Sequence, residues 1–281
     1  MHSRRIAASG GGGYTTEYQA VLDAMTTDPT GDTLTWQNDL VYSLDTTSSG
    51  ATSVFDRASL IYVFATPENG DGEALINWAN PGTYNATEVA NGGGLTHSIN
   101  GLLGDSAAYL RTGWAPEAVN PAPADTFSFT FGFYESTSYN EGRSAFGTYD
   151  DNNTSAKIMM QVNDGGWFRG RINAANSQNT NSMSTPGMIM MTRRASNETE
   201  QYFNGISTGT DSDVSSALSA AELGIFCEYR GGGIWDEPLS TGGIYEGQLS
   251  FFIVLDAVTD EEAASINTIV TTYLTNIGVI E

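Results

Sequence analysis

Lysine is almost missing from this chain. Lys157 is its only lysine, and basic side chains total 11 against 33 acidic ones, a formal charge of −22 over 281 residues. A body of that sign repels phosphate backbones and anionic lipid, so no nucleic acid and no membrane surface is expected as a partner. Cysteine is down to one, Cys227, which excludes an internal disulfide framework and any metal site built on several thiolates. Histidine is down to two, His2 and His97, which removes histidine-rich metal centres and most histidine-dependent acid–base schemes. No stretch approaches the roughly 20 apolar residues that a membrane-spanning helix needs. Met1 to Ala8 include Arg4 and Arg5 but lead into Gly10 to Gly13 rather than an apolar segment. A secretory signal is therefore not expected, and folding in the cytoplasm of the producing cell is.

Glycine (32), tyrosine (13) and phenylalanine (12) are plentiful, a composition suited to turn-rich β-structure. Residues 1–13 read as a flexible arm, since a glycine run cannot offset its own ordering. Residues 14–58 read as a helical attachment segment. Tyr18, Val21, Leu22 and Met25 share one helical face before Asp28-Pro29, and Trp36, Leu40, Val41 and Leu44 share another, with Thr33 or Thr35 as its N-cap. From residue 59 the grammar is that of strands, expected at 60–64, 74–78, 109–112, 126–133, 143–149, 156–162, 166–172, 187–193, 199–204, 223–229 and 247–255. In the clearest of these, Phe127, Phe129, Phe131 and Phe133 alternate with small polar residues and line one face. Turn signals such as Asn204-Gly205 separate the strands, with no helices between them, which predicts antiparallel sheets rather than βαβ units. A closing helix is expected over 259–276, with Thr259 as its cap, acids in its first turn, and an apolar stripe through Ala263, Ile266, Val270, Tyr273 and Leu274.

Several segments resemble one family. Asp56, Tyr62-Val63-Phe64-Ala65, Ala74 through Pro81 and Tyr84-Asn85-Ala86-Thr87 are similar to the lead-in of concanavalin A-like (laminin G-like) jelly-roll virion proteins of tailed bacteriophages. The stretch from Tyr18 to Val41 resembles the helical prelude such proteins carry. Arg193-Arg194 with Glu200 through Gly205, and Tyr245 through Ile253 with Val258 through Glu262, resemble the hairpin, closing strand and helix start of the same fold. The resemblance implies an all-β, two-sheet antiparallel jelly-roll sandwich over 59–281, with a short N-terminal helical prelude and a C-terminal helix. It also implies a non-enzymatic virion protein (tail fibre, tail-associated or capsid decoration) that displays a lectin-like domain to host surface polysaccharide. Other virion proteins and further copies of the chain in a homo-oligomer are the implied partners. Arg4, Arg5, Tyr18, Leu22 and Trp36 are the residues expected to dock the chain on a neighbour. A free or cell-surface carbohydrate-binding module and a glycoside hydrolase or lyase on the same fold are the alternatives, because fold alone does not set activity.

The residues themselves offer little catalysis. A hydrolase strand with carboxylates at period two is not found: Glu228, Asp236 and Glu237 are interrupted by glycines, and Asp260-Glu261-Glu262 reads as a helix cap. Ser106 in Gly104-Asp105-Ser106 has only His97 as a base to draw on. No cofactor is expected. If Ca²⁺ binds, the oxygen-rich loops at Asp150-Asp151 and Asp211-Ser212-Asp213 are its candidate ligands. Trp114, Trp167, Trp235, Tyr139 and Tyr149 are placed beside glycine or proline in expected loops and are the candidates for stacking on a sugar ring.

Overall fold

Two strand grammars share the chain, and each builds its own sheet. The computed structural model describes residues 13–48, 50–67, 72–90, 92–105, 107–119, 128–137, 143–150, 153–163, 167–174, 178–181, 186–216, 218–231, 237–238 and 244–281. In chain order these form helices α1 (Thr16–Ala24), α2 (Asp32–Thr46) and α3 (Val54–Arg57), strand β1 (Ala58–Val63) and a 3-10 turn at Glu73–Leu75. Next come β2 (Thr87–Ala90), β3 (Thr96–Ser98), β4 (Gly101–Leu103), β5 (Ala108–Arg111) and the short α4 (Pro116–Val119). The longer strands follow: β6 (Phe129–Thr137), β7 (Arg143–Asp150), β8 (Asn153–Asn163), β9 (Trp167–Ile172), β10 (Gln178–Asn181), β11 (Gly187–Ala195), β12 (Glu198–Phe203) and β13 (Ile206–Asp211). The chain ends with β14 (Gly224–Ile225), β15 (Glu228–Gly231), β16 (Glu237–Pro238), β17 (Gln248–Asp256) and α5 (Asp260–Asn276).

The first sheet runs β13-β12-β11-β6-β17-β4-β3, with β1 also paired to β17; the second runs β10-β9-β8-β7-β14-β5-β2, with β15 and β16 attached at β7. Among the described residues, strand pairing is antiparallel except where β15 runs parallel to β7. The expected jelly-roll sandwich with an N-terminal helical segment and a C-terminal helix is therefore the observed architecture.

The central strands of the first sheet, β1, β6, β11 and β17, are buried at most positions and therefore on both faces. Leu60, Tyr62, Phe129, Phe131, Phe133, Ile189, Met191, Phe252 and Val254 turn inward to meet Phe146, Ile158, Met160, Phe168 and Ile225 of the second sheet. The alternate residues Ile61, Val63, Tyr134, Met188, Met190, Phe251, Ile253 and Leu255 turn outward and pack against α1, α2, α3 and α5. Each fully buried aliphatic or aromatic side chain of this kind contributes roughly 1.5–3 kcal/mol.

The helices are held by identifiable contacts. Thr15 caps α1 by accepting from the Tyr18 amide at 3.1 Å. A complete capping box starts α5, with Thr259 and Glu262 accepting each other's backbone N–H. Arg194 donates to Asp260 (2.5 Å) and Glu200 (2.6 Å), and Arg57 pairs with Glu262, so the start of α5 is tied to the first sheet and to α3. The Asn204-Gly205 turn, with φ of 51° and 76°, also leans on α5: a Cβ on Gly205 would lie 2.8 Å from Ala264 Cα.

Four expectations change. Residues 14–58 do not stand apart as an attachment segment, because their apolar faces form one core with the first sheet and α5. The cap of α2 is Gly31 at φ 59°, with Thr33 already inside the helix, since a left-handed glycine turns the chain without a side-chain cap. Residues 74–78 are not a strand: Asn77 replaces one, its Oδ1 accepting from the Ile61 amide and its Nδ2 donating to the Ser59 and Thr83 carbonyls. The span 223–229 breaks at Phe226, whose φ of 69° separates β14 from β15 and reverses the pairing direction along β7. Phe127 lies outside the described residues.

Candidate functional site on the outer face of the second sheet

Alternation on the second sheet sends Phe146, Ile158, Met160, Val162, Phe168, Ile172 and Tyr229 into the sandwich. Their neighbours in sequence point the other way, and register sets them in rows. Gly147 stands beside Met159 and Glu228, Met159 beside Arg171, Tyr149 beside Lys157 and Arg230, and Gln161 beside Arg169. Contacts confirm the shared face. A Cβ on Gly147 would meet Glu228 Cγ at 3.2 Å and Met159 Cβ at 3.3 Å.

Charge organises this face. Lys157 Nζ lies 2.6 Å from Glu228 Oε1 and 5.2 Å from the centre of the Tyr149 ring. The Arg230 guanidinium carbon lies 5.9 Å from the same ring. A phenol ring between two cations is a cation–π arrangement that fixes the ring and both charges. Glu228 is buried, with its neighbours forming the floor of the face. Burial pushes its carboxyl above the usual range against the pull of Lys157, Arg171 and Arg169. Burial and the neighbouring Arg169 hold Arg171 below the ordinary guanidinium value, with Glu228 and Asp213 acting the other way. Tyr149, Gln161, Arg169, Arg171 and Arg230 are each partly exposed.

Among the residues expected to bind sugar, the structure brings Tyr149 to this face. Trp167 opens β9 in register with Asn163 and Asn181. Trp114 is a correction: it is 0% exposed, its ring packed edge-on against Phe129 and Phe131, so it serves the core and cannot meet a ligand. Trp235, Tyr139, Asp151, Arg4 and Arg5 lie outside the described residues. Tyr18 and Leu22 are also corrected, because they are buried against this chain's own helices and sheet and offer no docking surface; Tyr18 donates to Gln37 Oε1 at 2.7 Å. Trp36 lies half-buried over a groove between α2 and α5.

The expected calcium loops find other employment. Asp150 is buried and accepts from the Ala220 amide. Asp211 accepts from the Asp213 amide, and both carboxylates act on the buried Arg193 guanidinium, a cation the chain itself supplies. Among the described residues no group of three or more His, Cys, Asp or Glu side chains is placed to hold a metal ion. His97 sits in β3 with Nε2 3.2 Å from the Phe64 carbonyl, and burial lowers its pKa.

No family model and no curated protein matches the chain. Solved structures do. A mutant of Trypanosoma rangeli sialidase displaying trans-sialidase activity matches with a TM-score of 0.53 at 10% identity, over 88% of this chain and 38% of that one. Trypanosoma rangeli sialidase itself matches with a TM-score of 0.51 at 11% identity, again over 88% and 38%. The receptor binding domain of botulinum neurotoxin D matches with a TM-score of 0.50 at 9% identity, over 77% and 53%. The chain thus spans about two fifths of the sialidase chains, and the likeness is one of β-sandwich fold. It corrects one expectation: the fold occurs within sialidase chains, so the resemblance to virion proteins gives no ground for calling this chain non-enzymatic.

The sequence reading missed Lys157, Gln161, Arg169, Arg171 and Arg230. A signal was present. In a chain this acidic, Arg169 and Arg171 two apart in a strand, with the sole lysine in the strand before, mark one polar face.

Proposed function

We propose that the protein is a glycan-binding β-sandwich that meets carbohydrate with the outer face of its second sheet. The observation that carries this reading is the asymmetry of the two sheets. Helices close the outer face of the first, whereas that of the second presents a partly exposed ring, Tyr149, held between Lys157 and Arg230, with the partly exposed Gln161 further along β8 on the same face. A ring face with hydrogen-bonding groups around it is the chemistry that sugar rings require. The fold it shares with sialidase chains and a toxin's receptor-binding domain is compatible with that role. The setting we propose is the surface of a tailed-phage particle, on the resemblance of Tyr62–Ala65, Ala74–Pro81 and Glu200–Gly205 to virion jelly rolls, with residues 1–13 as the tether.

The test is binding of the full chain to a panel of immobilised neutral and acidic glycans, repeated with Tyr149→Ala. We expect at least one glycan to bind and the variant to lose about tenfold in affinity, roughly 1.4 kcal/mol. Binding to no glycan, or binding that Tyr149→Ala leaves unchanged, overturns the reading. Glu228 favours a second reading, catalysis on the bound glycan: a buried carboxyl with a raised pKa is what a general acid needs. New reducing or unsaturated ends after incubation, lost in Glu228→Gln, would establish it.

A further inference from the structure

Polar side chains on α2 divide by direction. Toward α1, Asn38 accepts from the Thr15 amide at 2.9 Å and Gln37 accepts from the Tyr18 hydroxyl, so both serve the scaffold. Toward α5 a groove of about 230 Å³ opens, and there the pattern changes. Trp36, Asp39 and Ser43 recur at helical spacing along about 10 Å of α2, and Thr268, Thr272 and Asn276 along about 12 Å of α5. Among the described residues, none engages the side chains of Asp39, Ser43 or Asn276. The Thr268 and Thr272 hydroxyls give their protons to the carbonyls of Ala264 (2.9 Å) and Thr268 (2.7 Å), which leaves both oxygens able to accept. Trp36 rests against the helix-facing core with part of its ring exposed, and the buried Leu40 lies beside it in the groove.

We propose that this groove is a second carbohydrate site, which takes a single neutral sugar ring against Trp36 and bonds its hydroxyls to Asp39, Ser43, Thr268, Thr272 and Asn276. It lies on the helical side of the sandwich, away from the outer face of the second sheet, and does not depend on that face binding anything.

Size, hydrogen-bonding character and charge each narrow the ligand. The volume falls below the roughly 300–1,000 Å³ of a pocket for a drug-sized molecule, so the groove admits one small ring. Asp39 accepts hydrogen bonds only, and the two threonines have only lone pairs left to offer, so the lining asks for a ligand rich in O–H donors. A sugar brings several, together with an apolar C–H face for the exposed part of the indole. A carboxylate, sulfate or phosphate brings no proton and meets both Asp39 and a body of formal charge −22, with no basic residue in the lining to offset them. A small ammonium ion would satisfy Asp39 and the indole, yet would leave the row of acceptors on α5 unused.

The test is titration of the full ¹⁵N-labelled chain, observed at the indole N–H signals of its five tryptophans. The probes are glucose, galactose, mannose and N-acetylglucosamine, their acid counterparts glucuronate and galacturonate, and ethanolamine. We expect at least one neutral sugar to shift the Trp36 signal saturably, that signal being the one missing from Trp36→Phe. Both acids and ethanolamine should bind at least about tenfold more weakly than the best neutral sugar. Asp39→Asn, at an exposed position that does not threaten folding, should weaken the sugar about tenfold. Trp36→Ala should abolish binding at this groove, and Tyr149→Ala should leave it unchanged. If no sugar moves the Trp36 signal, or Asp39→Asn leaves affinity as it was, the inference is wrong. Tighter binding of an acid or of ethanolamine also overturns it, because the groove would then select charge. Loss of the sugar in Tyr149→Ala would assign the binding to the second sheet, overturning this inference while leaving the earlier reading intact.

Discussion

The two sheets of this sandwich have similar strands and opposite fates. In the central strands of the first, both faces are buried, by the second sheet on one side and by α1, α2, α3 and α5 on the other. In the second, the inner face is apolar and the outer face carries Tyr149, Lys157, Gln161, Arg169, Arg171 and Arg230. A sheet buried twice works as the structural spine, and substitutions there act on stability. The second sheet's outer face keeps Tyr149, Gln161, Arg169, Arg171 and Arg230 partly exposed above the buried Met159 and Glu228, and under the proposed function substitutions of the exposed residues should act on recognition. The helical segment at residues 14–58 belongs with the spine, because it is what closes the second face of the first sheet.

The sharpest way to break that contrast is to remove a ring from the spine and a polar side chain from the open face. Phe252 is fully buried, stacked with Tyr62 and edge-on to Phe146 at 5.0 Å, so it joins the two sheets. Phe252→Ala should cost about 3–5 kcal/mol, seen as a lower midpoint in urea unfolding with little change in slope. Gln161→Ala on the open face should stay within about 0.5 kcal/mol. Equal losses would refute the division of labour.

A smaller effect tests the outward face of the same spine. Gly132 leaves room for its neighbours: a Cβ there would lie 2.7 Å from Met190 Cγ, 3.1 Å from Met188 Cε and 3.2 Å from Ile253 Cγ2. Gly132→Ala should cost about 1–3 kcal/mol through overpacking, toward the low end because methionine chains are flexible. A Tm equal to that of the unaltered protein would show that the helix-facing core is loosely packed.

The contrast between the sheets also explains what could be read in advance. Strands of the spine announce themselves as unbroken apolar runs, such as Leu60 to Phe64 and Phe251 to Leu255, and both lie where strands are expected. The capping signal at Thr259 placed α5 for the same reason, since the information is local. Asn77 was out of reach, because a side-chain amide taking a strand's hydrogen bonds depends on a partner 16 residues away. Tyr18 and Leu22 suggest a surface for a neighbour because an amphipathic stripe states that something covers it but not what. Glycine and proline beside Trp114 mark a loop and make it a stacking candidate, but a loop's tryptophan can as well fold back onto Phe129 and Phe131, as this one does. The cations of the second sheet were legible only as alternation within 167–172, and pairing with β8, β7 and β15 was needed to bring them together.

The subtlest test compares one carboxylate from each sheet's surroundings, because their pKa values move in opposite directions. Glu228, under the open face, is raised above its ordinary 4.5, chiefly by burial. The folded state therefore binds its proton more tightly than the unfolded state does. Its favourable contribution is complete below about pH 4.5 and is lost as pH rises through the folded value. Asp260, at the start of α5, is lowered below its ordinary 3.8 by hydrogen bonds from Arg194 and Tyr202. Its contribution is present above that value and is lost as pH falls through the lower folded one. Relative to the unaltered protein, Glu228→Gln should gain stability between about pH 4 and pH 7, and Asp260→Asn should be less stable at about pH 7 with the gap closing toward pH 3. Urea midpoints measured across that range give both curves. If the Glu228→Gln curve falls instead of rising, the Lys157 ion pair outweighs burial, and the open face is built for stability in the same way as the spine.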